Sequence, residues 1–515
     1  MTRHQQLGPQ QGAVGSSQNQ NVARHALSNS PSHERLALQN PVRSCCRTDA
    51  RSILAVPHPR ADGRQITRQS RPAGVWYATV YRRSTSGCQG DYLACGLSFR
   101  GQEGHSSLQV AADPTDRAEE ILISASRLFA RHSYANVTME QVAASVQAVP
   151  GALYHYFRDK EDLIFHCYLR GLAIYRHEIE AVAEPGIDGL EIIRRFVRGR
   201  LRPEGQRMIL FSDIDALAAP YSSEVHAKRW QNAALLADIL DRGVADGSIA
   251  CDEPLLTAVA LISILDWVPF WLSERDYYTR QQAIDAIDDI ITHGVYRREI
   301  ALPKMPEPLS LAPFLEARAA LNKRAAKFDR MLSIASDSFN RRGASGTSLE
   351  SIAADAGMTR AGIYYHFNEK ESLLLACLRR GLAGEVSIRE HLQEHSLGAF
   401  DHIVQRIRLL LMLHDTPRGP KATYHNINYL NDADRKAYVG DVLATIQQDQ
   451  NSYQRWIDEG RFRRIDTYFA ERILTGMGHW YPIWFKTRRD WSPAEIADHF
   501  ARLFLAGLKP RRRPG

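Results

Sequence analysis

Between Thr359 and Lys370 the chain sets out a guanidinium (Arg360), two phenols (Tyr364, Tyr365), an imidazole (His366) and an ammonium (Lys370). Groups of these types donate hydrogen bonds to phosphate oxygens and to base edges, so their chemistry is recognition rather than bond making. No nucleophile motif, Walker loop or dinucleotide fingerprint accompanies them, and an enzyme is not expected. His391 and His395 stand four apart, a spacing that could hold a metal on one helix face. No third ligand is near in sequence, so a solvated polar face is the better reading, and neither a metal nor a cofactor is expected.

The elements that must position these residues are legible around them. In SLESIAADAGMTRAGIYYHFNEK, residues 348–370, the apolar positions Leu349, Ile352, Ala353 and Ala356 recur at helical spacing. Gly357 then supplies the left-handed turn residue, and Thr359 can cap a second helix. Ile363 and Phe367, four apart, lock that helix onto the first. Thr359, Arg360, Ala361, Gly362, Tyr364, Tyr365 and His366 are left outward or at the leading end, with Ser348 and Lys370 at the flanking helix starts. A helix presented by its N-terminal end suits a major groove.

These residues closely resemble the helix-turn-helix of the TetR/AcrR family of transcriptional regulators, and IAADAGMTRAGIYYHFNEKESLL follows the family pattern at nearly every marked position. The pattern occurs twice. Val142 to Glu161, with Tyr154-His155-Tyr156-Phe157, aligns without gaps at an offset of about 210 residues, and Phe129, Cys167 and Gly171-Leu172-Ala173 match Phe339, Cys377 and Gly381-Leu382-Ala383. Trp267-Val268-Pro269-Phe270-Trp271 echoes Trp480-Tyr481-Pro482-Ile483-Trp484. The resemblance implies an all-α fold of two tandem TetR-like units, each with a helix-turn-helix head and a helical ligand-binding and dimerisation bundle. Its implied partners are double-stranded operator DNA and a small-molecule effector, with the two units paired as an intrachain pseudo-dimer or the chain paired as a homodimer.

The first copy departs from the family. Gln147 stands at the turn glycine, where left-handed geometry costs about 1 kcal/mol, and Val149 replaces the Ser/Thr cap, with Pro150 offsetting part of the loss. Pro150, Gly151 and Ala152 replace Arg360, Ala361 and Gly362, which removes the guanidinium that pairs with guanine. Tyr154, His155, Tyr156, Lys160 and the capping Thr138 can still serve phosphates. The first head is therefore expected to anchor more than it reads; the alternative is a head reduced to scaffold.

The expected order is an extension over 1–112, a first head over 113–165 and bundle over 166–298, and a proline-rich linker over 299–322. A second head over 323–375, a second bundle over 376–508 and a basic tail over 509–515 follow. Extended, some 20 linker residues span about 65 Å, enough for the halves to lie side by side. Residues 1–112 hold 13 arginines, no lysine and 5 acids, so of 65 bases and 58 acids the remainder keeps 52 and 53. DNA binding must then rest on local patches rather than bulk charge. The extension lacks periodicity and reads as disordered, being a DNA-gripping arm, a targeting peptide, or sequence upstream of the natural start.

Of seven cysteines, Cys45, Cys46, Cys88 and Cys95 fall in the extension and Cys167, Cys251 and Cys377 in helical segments, with no metal or disulfide framework. No apolar run of about 18 residues is evident and no signal-peptide core, which points to a cytoplasmic protein without a membrane partner. Trp267, Phe270, Trp271, Tyr277 and Tyr278 in one bundle, and His479, Trp480, Tyr481, Trp484 and Phe485 in the other, suit an apolar ligand pocket or a helix-helix interface. His414, Asp415, His425 and Asn426 flank a proline-rich loop at a possible pocket mouth. The W-Y-P-I-W run before a proline-capped last helix is similar to relatives that sense acyl-CoA thioesters, which makes an acyl-CoA a candidate effector.

Overall fold

The computed structural model describes residues 114–202, 214–272, 278–344, 346–416, 419–485 and 490–511. The expectations for 1–112, Tyr277, Arg512 and Arg513 lie outside them, as does the side chain of His425. Regular structure among the described residues is helical, apart from one isolated antiparallel bridge between Tyr296 and Phe462.

The first unit runs α1 (Pro114–Asn136), α2 (Met139–Ser145), α3 (Pro150–Leu153), α4 (Lys160–Ala181), α5 (Gly189–Arg200), α6 (Tyr221–Ala245), α7 (Pro254–Trp271) and α8 (Arg280–His293). After α9 (Ala312–Ala319) the order repeats as α10 (Lys323–Arg342), α11 (Leu349–Asp355), α12 (Arg360–Tyr364), α13 (Lys370–Glu394) and α14 (Ala399–His414). A 3-10 turn at Tyr424–Tyr429 leads to α15 (Asp432–Asp458), α16 (Thr467–His479), α17 (Tyr481–Trp484) and α18 (Pro493–Ala506). The repeat extends to single atoms: the Cys167 thiol donates to the Leu122 carbonyl of α1, and the Cys377 thiol to Leu332 of α10.

Helix starts follow the capping chemistry in the sequence. Thr138 with Gln141, Thr279 with Gln282 and Ser492 with Glu495 each form a reciprocal box. The W-Y-P-I-W run does not sit on one helix: α16 ends at His479, and Pro482 starts the short α17. Cys251 lies in the loop before α7 rather than in a helix.

Residues 299–322 are docked rather than free. Phe314 of α9 is buried with Ile388, Leu392, Leu409 and Leu413 of the second bundle. Gln405 accepts from the Leu309 amide and donates to the Glu307 carbonyl, while Arg408 donates to the Pro306 carbonyl. A proline-rich segment has carbonyls its prolines cannot pair within the chain, and these two side chains satisfy them.

The two units meet through α7 and α8 on one side and α16 and α18 on the other. The contact is reciprocal about a pseudo-twofold axis. The Val295 amide donates to the Phe504 carbonyl at 3.0 Å and the Leu508 amide to Ile291 at 2.8 Å; Tyr296 to Leu505 and Lys509 to Thr292 are both 2.9 Å. Val295 and Leu508 stand 213 residues apart, as do Ile291 and Phe504, so each bond has its mate in the other unit, the pattern of an isologous interface. Gly294 (φ 67°) and Gly507 (φ 70°) make this approach possible, since a Cβ on either would sit 2.3 Å from the other unit's backbone. Pro254–Trp271 is in fact long and apolar enough to cross a membrane, contrary to the expectation of no such run. Most of it is buried between α6 and α16, as in the central helix of a packed core.

Candidate nucleic-acid interface

In the second head, Gly357 takes φ 63° and turns the chain between α11 and α12. Ser348 and Ser351 close a capping box on α11, and the Thr359 hydroxyl accepts from the Gly362 amide at 3.1 Å to start α12. Ile363 is fully buried and Phe367 nearly so, which fixes the rotation of α12. Arg360 and Tyr365 then project outward, at 74% and 75% exposure. Tyr364 is half-buried and donates to the Glu350 carboxylate at 2.8 Å; Arg360 pairs with the same carboxylate at 3.2 Å and lies over the Tyr364 ring. The Tyr364 hydroxyl, the Glu350 backbone amide and Arg360 together hold the Glu350 carboxyl below its ordinary value. Glu350 thus sets the direction of both side chains. His366 does not project outward with them: it is half-buried against Phe328 of α10, ring centroids 5.2 Å apart. Lys370 lies over the Tyr429 ring at the first turn of α13.

The first head has the same frame with a poorer face. Gln147 does adopt the strained turn, at φ 54°, and Val149 caps nothing while standing 71% exposed. Leu153 and Phe157 are buried as their counterparts are, leaving Pro150, Gly151, Tyr154, His155 and Tyr156 exposed and Ala152 half-buried. Glu140, equivalent to Glu350, bonds Thr138 instead of a tyrosine. At the start of α4 the Asp159 carboxylate already accepts from the Asp162 amide at 2.8 Å. A carboxylate in that place occupies a donor that a phosphate would use. Glu369, its counterpart at α13, makes no side-chain cap.

One feature of the face lay beyond the sequence reading. Lys323, Arg324, Lys327 and Arg330 are all exposed on the first turns of α10, and Phe328 between them carries His366. The equivalent positions of the first unit are Asp113, Pro114, Arg117 and Glu120. The signal in the sequence is basic residues at i, i+4 and i+7, on the same helix as the apolar stripe that faces the core.

Of the aromatic candidates, Trp267 stacks on His479 of α16 at 4.3 Å, Trp271 meets Tyr468 and Phe469, and Trp480 meets Phe270. Trp484 packs edge-on to Trp230 of α6 under the Arg229 guanidinium. These residues interlock across the contact between the units, the interface alternative of the sequence reading. Trp484 also borders a small cavity in the first bundle, and His479 a larger one in the second. His395 donates through Nδ1 to the His391 carbonyl, and among the described residues no group of three metal-ligating side chains occurs.

The family model described as bacterial regulatory proteins, tetR family, matches residues 121–167 and 332–377. The model of the tetracyclin repressor-like C-terminal domain matches residues 190–295 and 404–508. Similar curated proteins include the HTH-type transcriptional repressor KstR2 of Mycobacterium tuberculosis, 23% identical over 37% of this chain and 99% of its own length. The HTH-type transcriptional regulator RutR of Escherichia coli K12 is 29% identical over 36% of this chain and 92% of its own. Among solved structures, AibR in complex with isovaleryl coenzyme A and operator DNA is 20% identical, with a TM-score of 0.31 over 34% of this chain and 97% of its own.

Proposed function

This chain belongs to the bacterial TetR family of regulatory proteins as a tandem of two units, and on that premise we propose that both heads of one chain dock on one operator. It is a ligand-responsive DNA-binding regulator and not an enzyme. The observation that carries the two-head reading is the reciprocal set of backbone bonds across α8 and α18, which pairs the units inside one chain as two protomers pair in a dimer. Two heads so paired enter successive major grooves about 34–36 Å apart. The operator is asymmetric, with the stricter half-site under α12, because Arg360 has no counterpart in α3.

The outcome is repression, as similarity to the transcriptional repressor KstR2 favours, in the cytoplasm. Release follows when a small, largely apolar effector, an acyl-CoA type among the candidates, favours a tilted arrangement of the heads by ~3–5 kcal/mol. Hydroxyl-radical footprinting on a selected operator tests the reading. Two protected stretches one turn apart are expected, and Arg360→Ala should remove both while Tyr154→Ala shortens only one. A single protected stretch would remove the first head from the account.

A further inference from the structure

Three adjoining cavities of the second bundle share two wall residues, Glu385 and Leu410, and two of them also share His414 and Lys421. The surface of the largest is mostly apolar, with Leu410, Leu474, Met477 and Phe500 in its wall. The cations around the three cavities are taken up by acids. Arg406 bonds both Glu471 oxygens and Asp449, Arg389 bonds Asp449 through two nitrogens, Arg380 bonds Asp329, and Lys421 pairs with Glu385. Burial raises the Glu385 carboxyl, but Lys421 outweighs it and the net value lies below the ordinary range, so the pair is charged. His414 differs. Burial pushes it down to about 3, which makes it neutral, and its Nδ1 is buried with no hydrogen-bond partner. A largely apolar surface whose charged groups are paired with one another, with His414 Nδ1 open to a hydrogen bond, suits an uncharged guest bearing a hydrogen-bonding group.

The wall that closes this space also holds the second head. Lys421 lies on the segment that follows α14, and its carbonyl accepts from the Asn340 side chain of α10 at 2.7 Å. The Asn340 oxygen in turn accepts from the Thr423 amide at 2.8 Å, and Asn426 accepts from the Ala344 amide just past α10. The segment has no sideways slack: a Cβ on Gly419 would meet Ser333 of α10 at 1.9 Å, and one on Gly381 of α13 would meet Lys421 at 3.0 Å. One residue therefore faces the cavity with its ammonium and the head with its carbonyl.

We infer that the effector is an uncharged, largely apolar molecule that bonds His414 Nδ1, displaces Lys421 from Glu385, and so loosens the Asn340 clamp on the second head. This deepens the ligand-responsive reading and rests on it, and it sets aside the acyl-CoA candidate, whose phosphates are anionic. 1-Decanol and decanoate, alike in chain and different in charge, test it by calorimetry on the full chain. Decanol binds, and decanoate binds at least about tenfold more weakly because no unpaired cation awaits it. His414→Phe, which keeps the ring volume, loses about tenfold for decanol. The double variant Glu385→Gln with Lys421→Met binds decanol about fivefold more tightly, since no ion pair has to part; a gain of this kind cannot come from misfolding. Saturation with decanol speeds amide exchange at 340–344 and 419–426. Failure of both probes to bind, equal binding of the two, or unchanged exchange at the clamp overturns the inference. None of these readouts uses DNA, so lost operator binding with an intact decanol response would fault the regulator reading alone.

Discussion

Arg360 and Tyr364 share one carboxylate, and that arrangement is the basis of the reading surface proposed for the second head. Replacing Arg360 or Tyr364 by alanine should weaken specific binding by about 1–3 kcal/mol, the worth of a good base contact, while Tyr154→Ala costs much less. Fluorescence anisotropy on a selected duplex measures this, and equal losses from both heads would count against unequal reading. Lys327→Ala acts differently: lost phosphate contact lowers affinity for all sequences and reduces the slope of log K against log salt by about 1. In the first head, Gln147→Gly relieves the left-handed strain at φ 54° and should raise stability by about 1 kcal/mol in thermal unfolding. No gain there would mean that Gln147 is compensated by contacts its glycine variant loses.

At the scale of elements, the heads were the most legible part of the chain, because their turn residue, caps and buried pairs are local: Gly357, Thr359 and Ile363 sit where spacing puts them. That the bundles pack against each other followed from the family resemblance, which implies a dimerisation bundle in each unit. What the sequence could not show depends on partners far along the chain. Glu350 reads as a first-turn helix acid until Tyr364 and Arg360 close on it, and Asn340 reads as an ordinary polar residue until Lys421 and Thr423 arrive some 80 residues later. The aromatic runs were ambiguous for the same reason, since the pairing of Trp267 with His479 is set by packing between units. The interface has its own test. Gly294→Ala forces a Cβ against the backbone of Leu505 and Ala506 at positive φ, and should destabilise the fold by more than ~1 kcal/mol, whereas Gly186→Ala, at φ 84° with open space around it, bears only the backbone strain. Equal melting temperatures for the two variants would deny the close approach.

For the molecule as a whole, two units in one chain free the heads to differ. In a homodimer each substitution appears in both half-sites, whereas in the proposed arrangement Pro150 and Arg360 face opposite halves of one site. A near-neutral folded part makes this division more pronounced, since affinity must come from local patches and the second unit carries the larger one on α10. The measurement that tests this most directly is selection of bound duplexes from a random library by the full chain, with the mass of the complex determined on the winning DNA. The account predicts a bipartite, asymmetric site carrying one chain. A palindrome carrying two chains would contradict it, because the second heads would then pair across molecules and leave the first as scaffold.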